Sequence, residues 1–263
     1  QKVSLLHLAL ESIINTLKNG KLKTDIPLDI PTNSDKLTKI KTMPNHTTNK
    51  LIIKGTNEEI QNFIDYVKSD KQALDFDVIK PMSEEIRNTT SPSKIQTREE
   101  IDEQWRDYYM RVKSGKSHPE EDKVNRPFGI GITQEYSDYL TEKYGADNWY
   151  DWCVENWGTK WNCYDLSEWT VSEGRAEIMF YTAWSPPMPI TTFLSNKFNN
   201  MEIELLYSDE GGGFVGKVIY EKYDIVSYEP SWDCDEGIKI REELGVYCPE
   251  DEEQEDGQVS VVE

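Results

Sequence analysis

The chain has 263 residues, 49 of them acidic and 29 basic, which gives a formal net charge of −20. Because like charges repel within a Debye length of about 8–10 Å, this excess disfavours direct binding to nucleic acid or anionic membranes. The 8 Trp, 14 Tyr and 7 Phe argue against a disordered chain, since each aromatic side chain buries roughly 150–250 Å². The composition therefore favours a folded domain. Its negative charge either favours a basic binding partner or serves only to keep the protein soluble.

The N-terminal segment differs from the remainder in charge and pattern. Residues 1–50 hold eight Lys and four acidic residues. An amphipathic helix is predicted over 3–18, because four apolar residues recur at helical intervals, namely Leu6, Leu10, Ile13 and Leu17. This stripe can pack on its own domain or on another copy of the chain, which makes it the predicted oligomerisation surface. Residues 21–42 are predicted to be a linker.

The main domain is predicted to begin at Met43 with a strand–helix–strand unit. Residues 46–55 favour a strand, and Thr56 or Asn57 is typical of a helix N-cap. The helix that follows presents Ile60, Phe63, Ile64 and Val67 on one face. Residues 75–81 are predicted to be a short extended piece.

Residues 83–132 are polar and contain three prolines, which predicts an insertion with long loops. One helix is predicted inside it, over Arg98–Lys113. Because binding residues concentrate on loops, the insertion is a candidate contact surface.

The second half of the chain predicts further α and β elements. Helices are expected over 133–144, 147–156 and 190–198, strands over 176–184, 201–207 and 213–222, and the last two strands form a hairpin. Glu250–Asp256 holds no basic residue, so the domain is predicted to end near 230 and to be followed by an acidic, partly disordered segment over 231–263.

The aromatic passage over 149–161 is the most informative feature. Its tryptophans can belong to the core, or they can form an exposed ridge, because Trp and Tyr are enriched as interface anchors. The ridge hypothesis predicts a partner-binding set, which consists of Trp149, Asp151, Trp152, Glu155, Trp157, Asp209 and Glu210.

Catalytic and cofactor motifs are weak. The stretch Gly211 to Lys217 matches the start of a phosphate-binding loop, but Val218 stands where Ser or Thr would ligate Mg²⁺. The four Cys and three His lack the close spacing of zinc ligands, and a Cys153–His46 nucleophile pair is left open. We expect no metal, no cofactor and no catalytic residues, and therefore not an enzyme.

Location is predicted from two absences in the sequence. No apolar run approaches the roughly 20 residues of a membrane span. Leu5–Leu10 is followed at once by Glu11, which is atypical of a signal peptide. We expect a protein of the host cell cytosol.

Four motifs carry a resemblance to a known family. They are Met43–His46, Phe76–Met82, Trp149–Asn162 and Thr182–Pro187. Together they resemble the YubB-like proteins with a ferredoxin-like domain, over roughly residues 43–225, and they depart from that pattern at both ends. The resemblance implies an α+β fold with a split β-α-β sheet, helices on one face and carriage by a phage, plasmid or integrative island. It implies no activity.

Three functions follow from these observations. The first is an acidic nucleic-acid mimic that occupies the basic groove of a host nucleic-acid-handling or defence protein and so inhibits or modulates it. The second is a single-strand or RNA-binding module, with Phe180, Tyr181 and Tyr207 in predicted strands. The third is an unrecognised hydrolase.

Overall fold

The computed structural model describes residues 45–221 and 224–246. The predictions for the apolar stripe Leu6, Leu10, Ile13 and Leu17, for the linker and for the acid run Glu250–Asp256 lie outside these residues. Within the described ranges, no helix is long and apolar enough to cross a membrane.

The strands form one sheet of six, in the order β2-β3-β1-β4-β5-β6. Their bounds are β1 His46–Lys54, β2 Thr170–Ser172, β3 Arg175–Ala183, β4 Glu202–Asp209, β5 Val215–Glu221 and β6 Asp224–Tyr228. Both β3 and β4 pair antiparallel with β1, so they run parallel to each other on its two sides. With the helix between them they make a split β-α-β unit, which confirms the predicted ferredoxin-like α+β class.

The helices described by the structure lie before, between and after these strands. Their bounds are α1 Asn57–Val67, α2 Phe76–Ile79, α3 Glu84–Arg87, α4 Arg98–Lys113, α5 Pro119–Val124, α6 Gln134–Tyr144, α7 Trp149–Trp157, α8 Met188–Lys197 and α9 Asp235–Leu244.

Both faces of the sheet are covered. Along β1, Leu51 and Ile53 contact a large core that includes residues of α1, α2, α7 and α8. The alternate residue Ile52 belongs to a smaller cluster with Ile240 and Leu244 of α9. The prediction of helices on one face is therefore incomplete, because α9 covers the other face.

Local signals in the sequence explain the helix ends. Thr56 and Thr97 each open a capping box with a Glu three residues later, so the orphan N–H groups of α1 and α4 are bonded. Gly145 and Gly158 end α6 and α7 in the left-handed conformation, at φ 82° in both cases. These helices were predicted because their start and stop residues are strong.

One prediction at the level of elements was wrong, and two others were incomplete. Residues 75–81 are not extended, since Phe76–Ile79 forms one helical turn that begins at the side-chain cap of Asp75. The short edge strands β2 and β6 were not predicted. The segment beyond 230 is not simply a tail, because Asp235–Leu244 forms α9 and packs on the sheet.

We predict that α9 is part of the folded domain. Ile240→Ala removes a buried side chain between α9 and the sheet and should lower the free energy of unfolding by about 2–5 kcal/mol, measured by urea denaturation. Lys239→Ala, on the exposed side of the same helix, should change it by less than about 0.5 kcal/mol. Equal, small effects of the two substitutions would show that α9 does not stabilise the domain.

Candidate functional site

A cleft of about 770 Å³ lies within the insertion and beside α6. Its walls come from α3, α4, the segment 126–133 and the first turn of α6. Ile101, Trp105 and Ile130 supply apolar surface, and Arg126 and Tyr136 supply polar groups. An apolar cleft with a few convergent polar groups is the usual form of a binding site.

A close backbone contact within the insertion positions one wall of the cleft. Ile95 and Ile132 form an isolated parallel bridge, and the N–H of Gly131 donates to Oε1 of Gln96 at 2.6 Å. A Cβ at Gly131 would lie 2.2 Å from the carbonyl oxygen of Lys94, so only glycine fits there. This contact places the segment 126–133 opposite α4.

Arg126 is the distinctive polar group of the cleft. Its guanidinium donates to the carbonyl oxygen of Thr89 at 3.4 Å, and burial lowers its pKa. Arg126 makes no ion pair with the carboxylates in the described ranges. The guanidinium therefore keeps donors for a carbonyl or carboxylate oxygen that enters the cleft.

A polar network fixes α6 to α3 at the other end of the cleft. Lys143 donates to Glu85 at 2.8 Å and to the hydroxyl of Tyr139 at 2.6 Å, and the Tyr144 hydroxyl donates to the same carboxylate. The bond from Lys143, and then that from Tyr144, lowers the pKa of Glu85. Lys143, the only basic residue of α6, is therefore engaged in hydrogen bonds to other residues of the same chain.

The outer side of α6 is acidic and aromatic, and we call it the α6 face. It consists of Glu135, Tyr136, Asp138, Tyr139 and Glu142. The three carboxylates are exposed at helical spacings of three and four. The two tyrosine rings stack with centroids 5.8 Å apart and are 37% and 41% exposed. Glu135 and Tyr136 also line the cleft, so the two features are continuous.

The structure decides between the two interpretations of the tryptophan passage. Trp152 and Trp157 are buried, at 5% and 3% exposure, and the Trp157 indole donates to the carbonyl oxygen of Lys80 at 2.9 Å. Trp149 is partly buried against the same core. The core interpretation is confirmed for Trp152 and Trp157. The ridge hypothesis is wrong for both, because their side chains pack in the large core against the sheet.

The four acidic residues of the predicted partner-binding set also separate. Asp209 is buried, and its carboxylate accepts from the N–H groups of Gly211 and Gly213 at 3.1 and 3.0 Å, so its prediction as a contact residue was wrong. The same bonds occupy the amides that a phosphate would need in this glycine-rich turn. Asp151, Glu155 and Glu210 are exposed, and their role in partner binding stays a prediction.

The Cys153–His46 pair is wrong. Cys153 belongs to the large core, where burial raises its pKa to about 12. The His46 ring is engaged elsewhere, since its Nδ1 lies 2.6 Å from the Tyr164 hydroxyl. Across the part of the chain that the structure describes, no group of three or more His, Cys, Asp or Glu is placed to hold a metal ion.

The sequence pointed to the insertion as contact surface but not to the cleft. The cleft combines residues from Glu84 to Tyr136 that no single motif joins. The acidic positions 135, 138 and 142 at helical spacing were a usable signal for the α6 face, and it was overlooked beside the denser tryptophan passage.

Comparison with known proteins supports the fold. A family model described as "Ferredoxin-like domain in Api92-like protein" matches residues 156–259. The crystal structure of a protein api92 from Yersinia pseudotuberculosis matches at 12% identity over 71% of this chain and 98% of that chain, with a TM-score of 0.36. No curated protein matches the chain. The membership of the YubB-like family stays a prediction.

We predict that Glu85 stabilises the cleft only when it is ionised. Its folded pKa is lowered, so its contribution is complete above the ordinary carboxylate pKa of about 4.3 and is lost as the pH falls toward the folded value. Glu85→Gln should therefore lower Tm at pH 7, and the difference from the native protein should shrink below pH 4. Glu135→Gln, which removes no ion pair, is the control. A difference in Tm that is independent of pH would contradict this role.

Proposed function

We propose that the protein binds a basic protein surface through the α6 face and the adjoining cleft. In this proposal the partner is a host nucleic-acid-handling or defence protein, and the carboxylates take the place of phosphates in its basic groove. Inhibition or modulation of the partner follows, because the groove cannot hold nucleic acid at the same time.

The charge of the α6 face supports this proposal most directly. Glu135, Asp138 and Glu142 form no ion pair with the described basic residues, whereas Lys143 on the same helix is bound by Glu85. Proteins that bind nucleic acid gain most of their non-specific affinity from Lys and Arg side chains that contact the row of backbone phosphates. A rigid helix with carboxylates at intervals of three and four presents such a row.

Aromatic side chains beside the carboxylates support a protein partner. Tyr136 and Tyr139 are stacked and exposed, and Trp105 lines the cleft next to them. Tyrosine and tryptophan anchor interfaces because they bury much area at little cost in conformational entropy. The donors of Arg126 would bond a carbonyl or carboxylate of the bound partner.

The alternative of a stacking platform for single-stranded nucleic acid has less support. Of the three aromatic residues predicted on the strands, Phe180 and Tyr207 are buried in the core, and only Tyr181 is exposed. Helix α9 covers the face of the sheet on which Tyr181 lies.

Carriage by a phage or plasmid, which the YubB-like resemblance implies, fits an inhibitor of host defence and is part of the proposal that the protein binds a basic partner.

We predict that the charge of the α6 face determines affinity. The triple variant Glu135→Gln, Asp138→Asn, Glu142→Gln should weaken binding to a partner purified after affinity capture by about tenfold or more at low salt. It should also flatten the slope of log Kd against log salt concentration, because fewer ion pairs form with the partner. Isothermal titration calorimetry between 50 and 300 mM salt measures both.

A control with the same change in charge makes the test specific. Asp70→Asn, Glu168→Gln and Glu173→Gln also remove three exposed carboxylates, at sites away from α6. This variant should bind almost as the native protein does. Equal weakening by both variants would mean that only net charge matters, and binding unchanged by either would refute the mimicry proposal.

A further inference from the structure

A second cavity, of about 420 Å³, lies at the other side of the sheet, where β1 begins. It is lined by His46, Tyr181, Asp165, Glu210 and the residues that follow α9, Gly245 and Val246. None of these residues belongs to the α6 face or to the insertion cleft.

The rings of His46 and Tyr181 line this cavity, and the Tyr164 ring contacts both of them. The His46 ring meets Tyr164 and Tyr181 edge to face, at centroid distances of 5.6 and 5.8 Å. The 2.6 Å bond from His46 Nδ1 to the Tyr164 hydroxyl, and the 3.3 Å bond from that hydroxyl to the Thr182 carbonyl, fix the arrangement. Tyr181 stays 37% exposed, so its ring can be reached by a ligand.

Two carboxylates supply negative charge at the same place. Glu210 is held in position because its Oε1 accepts from the backbone N–H of His46 at 2.8 Å. Asp165 has φ 48°, a left-handed conformation that aspartate tolerates and that holds it at the cavity. Burial, and then the nearby charges of Asp165 and Glu210, raise the pKa of Tyr164 to about 12. Both carboxylates therefore lie near enough to the Tyr164 hydroxyl to disfavour its ionisation.

The end of α9 adds to this negative potential. Gly245 caps the helix in the left-handed conformation and lines the cavity. The C-terminal end of a helix carries a partial negative charge and favours cations. The nearest lysine of β1, Lys50, is bound to Glu177 and Glu243 at 3.2 and 3.3 Å, and among the described residues no Lys or Arg lines the cavity.

We propose that this cavity binds a single organic cation, the guanidinium or ammonium group of an Arg or Lys side chain on a protein partner. The Tyr181 ring would cover the cation, and Asp165 and Glu210 would balance its charge. Aromatic rings with carboxylates beside them bind such groups by cation–π attraction and ion pairing. The site is separate from the α6 face and stands without that proposal.

The test uses the full chain and small probes, so it requires no partner protein. N-acetyl-arginine methylamide and N-acetyl-lysine methylamide are titrated into the ¹⁵N-labelled protein. We expect shifts of the amides of His46, Tyr181 and Val246 with a Kd of about 1 mM or weaker. The neutral isostere N-acetyl-citrulline methylamide should bind more weakly, by about fivefold or more, because it loses two ion pairs, each worth up to about fivefold, and the cation–π attraction.

Conservative variants identify the groups responsible. Asp165→Asn keeps a residue that accepts the left-handed conformation, and Glu210→Gln keeps the acceptor for the His46 N–H, so the double variant should fold and lose binding of the arginine probe by about fivefold or more. Tyr181→Leu should weaken binding, whereas Tyr181→Phe should not. Glu168→Gln with Glu173→Gln is the control of equal charge. Equal binding of the citrulline probe, or native affinity in the double variant, would overturn the proposal.

Discussion

The burial of β1 on both faces is the constraint on which the other features depend. A strand with β3 and β4 on its two sides must be covered above and below, and the apolar residues of the chain are largely used for this. Trp152, Trp157 and Phe180 belong to the large core on one face of the sheet, and α9 covers the opposite face. Other aromatic side chains of the described ranges stay exposed, and Tyr136 and Tyr139 of the α6 face and Tyr181 of the cation cavity are among them.

The insertion is joined to the main core through Ile86 of α3, and polar and backbone contacts shape its outer part. Glu85 joins α3 to α6, and Gly131 allows the backbone of the insertion to approach itself closely. A helix fixed in this way presents its carboxylates in a defined row. Acidity that served only solubility would require no such order, since scattered charges on loops have the same effect on solubility.

Much of the fold follows from local signals in the sequence, and the candidate sites do not. Helices with a Thr or Asn cap and a terminal glycine, such as α6 and α7, were predicted to within two residues at each end, as was the hairpin of β4 and β5. Helix α9 was missed because its acidic composition resembles a solvated tail, although Ile240 and Leu244 bury its inner side. The extended interpretation of residues 75–81 failed because the side-chain cap of Asp75 starts a helical turn in spite of the strand propensity of Val78 and Ile79. The cleft and the cation cavity join residues distant in sequence, so no spacing in the chain could reveal them.

The proposed function requires that the α6 face and the insertion cleft contact a basic partner. Hydrogen–deuterium exchange of the protein, alone and in complex with its purified partner, tests this most directly. We expect slower exchange for the amides of 126–144 in the complex, with little change along β6 and α1. Protection confined to other surfaces, with the exchange of 134–144 unchanged, would contradict it.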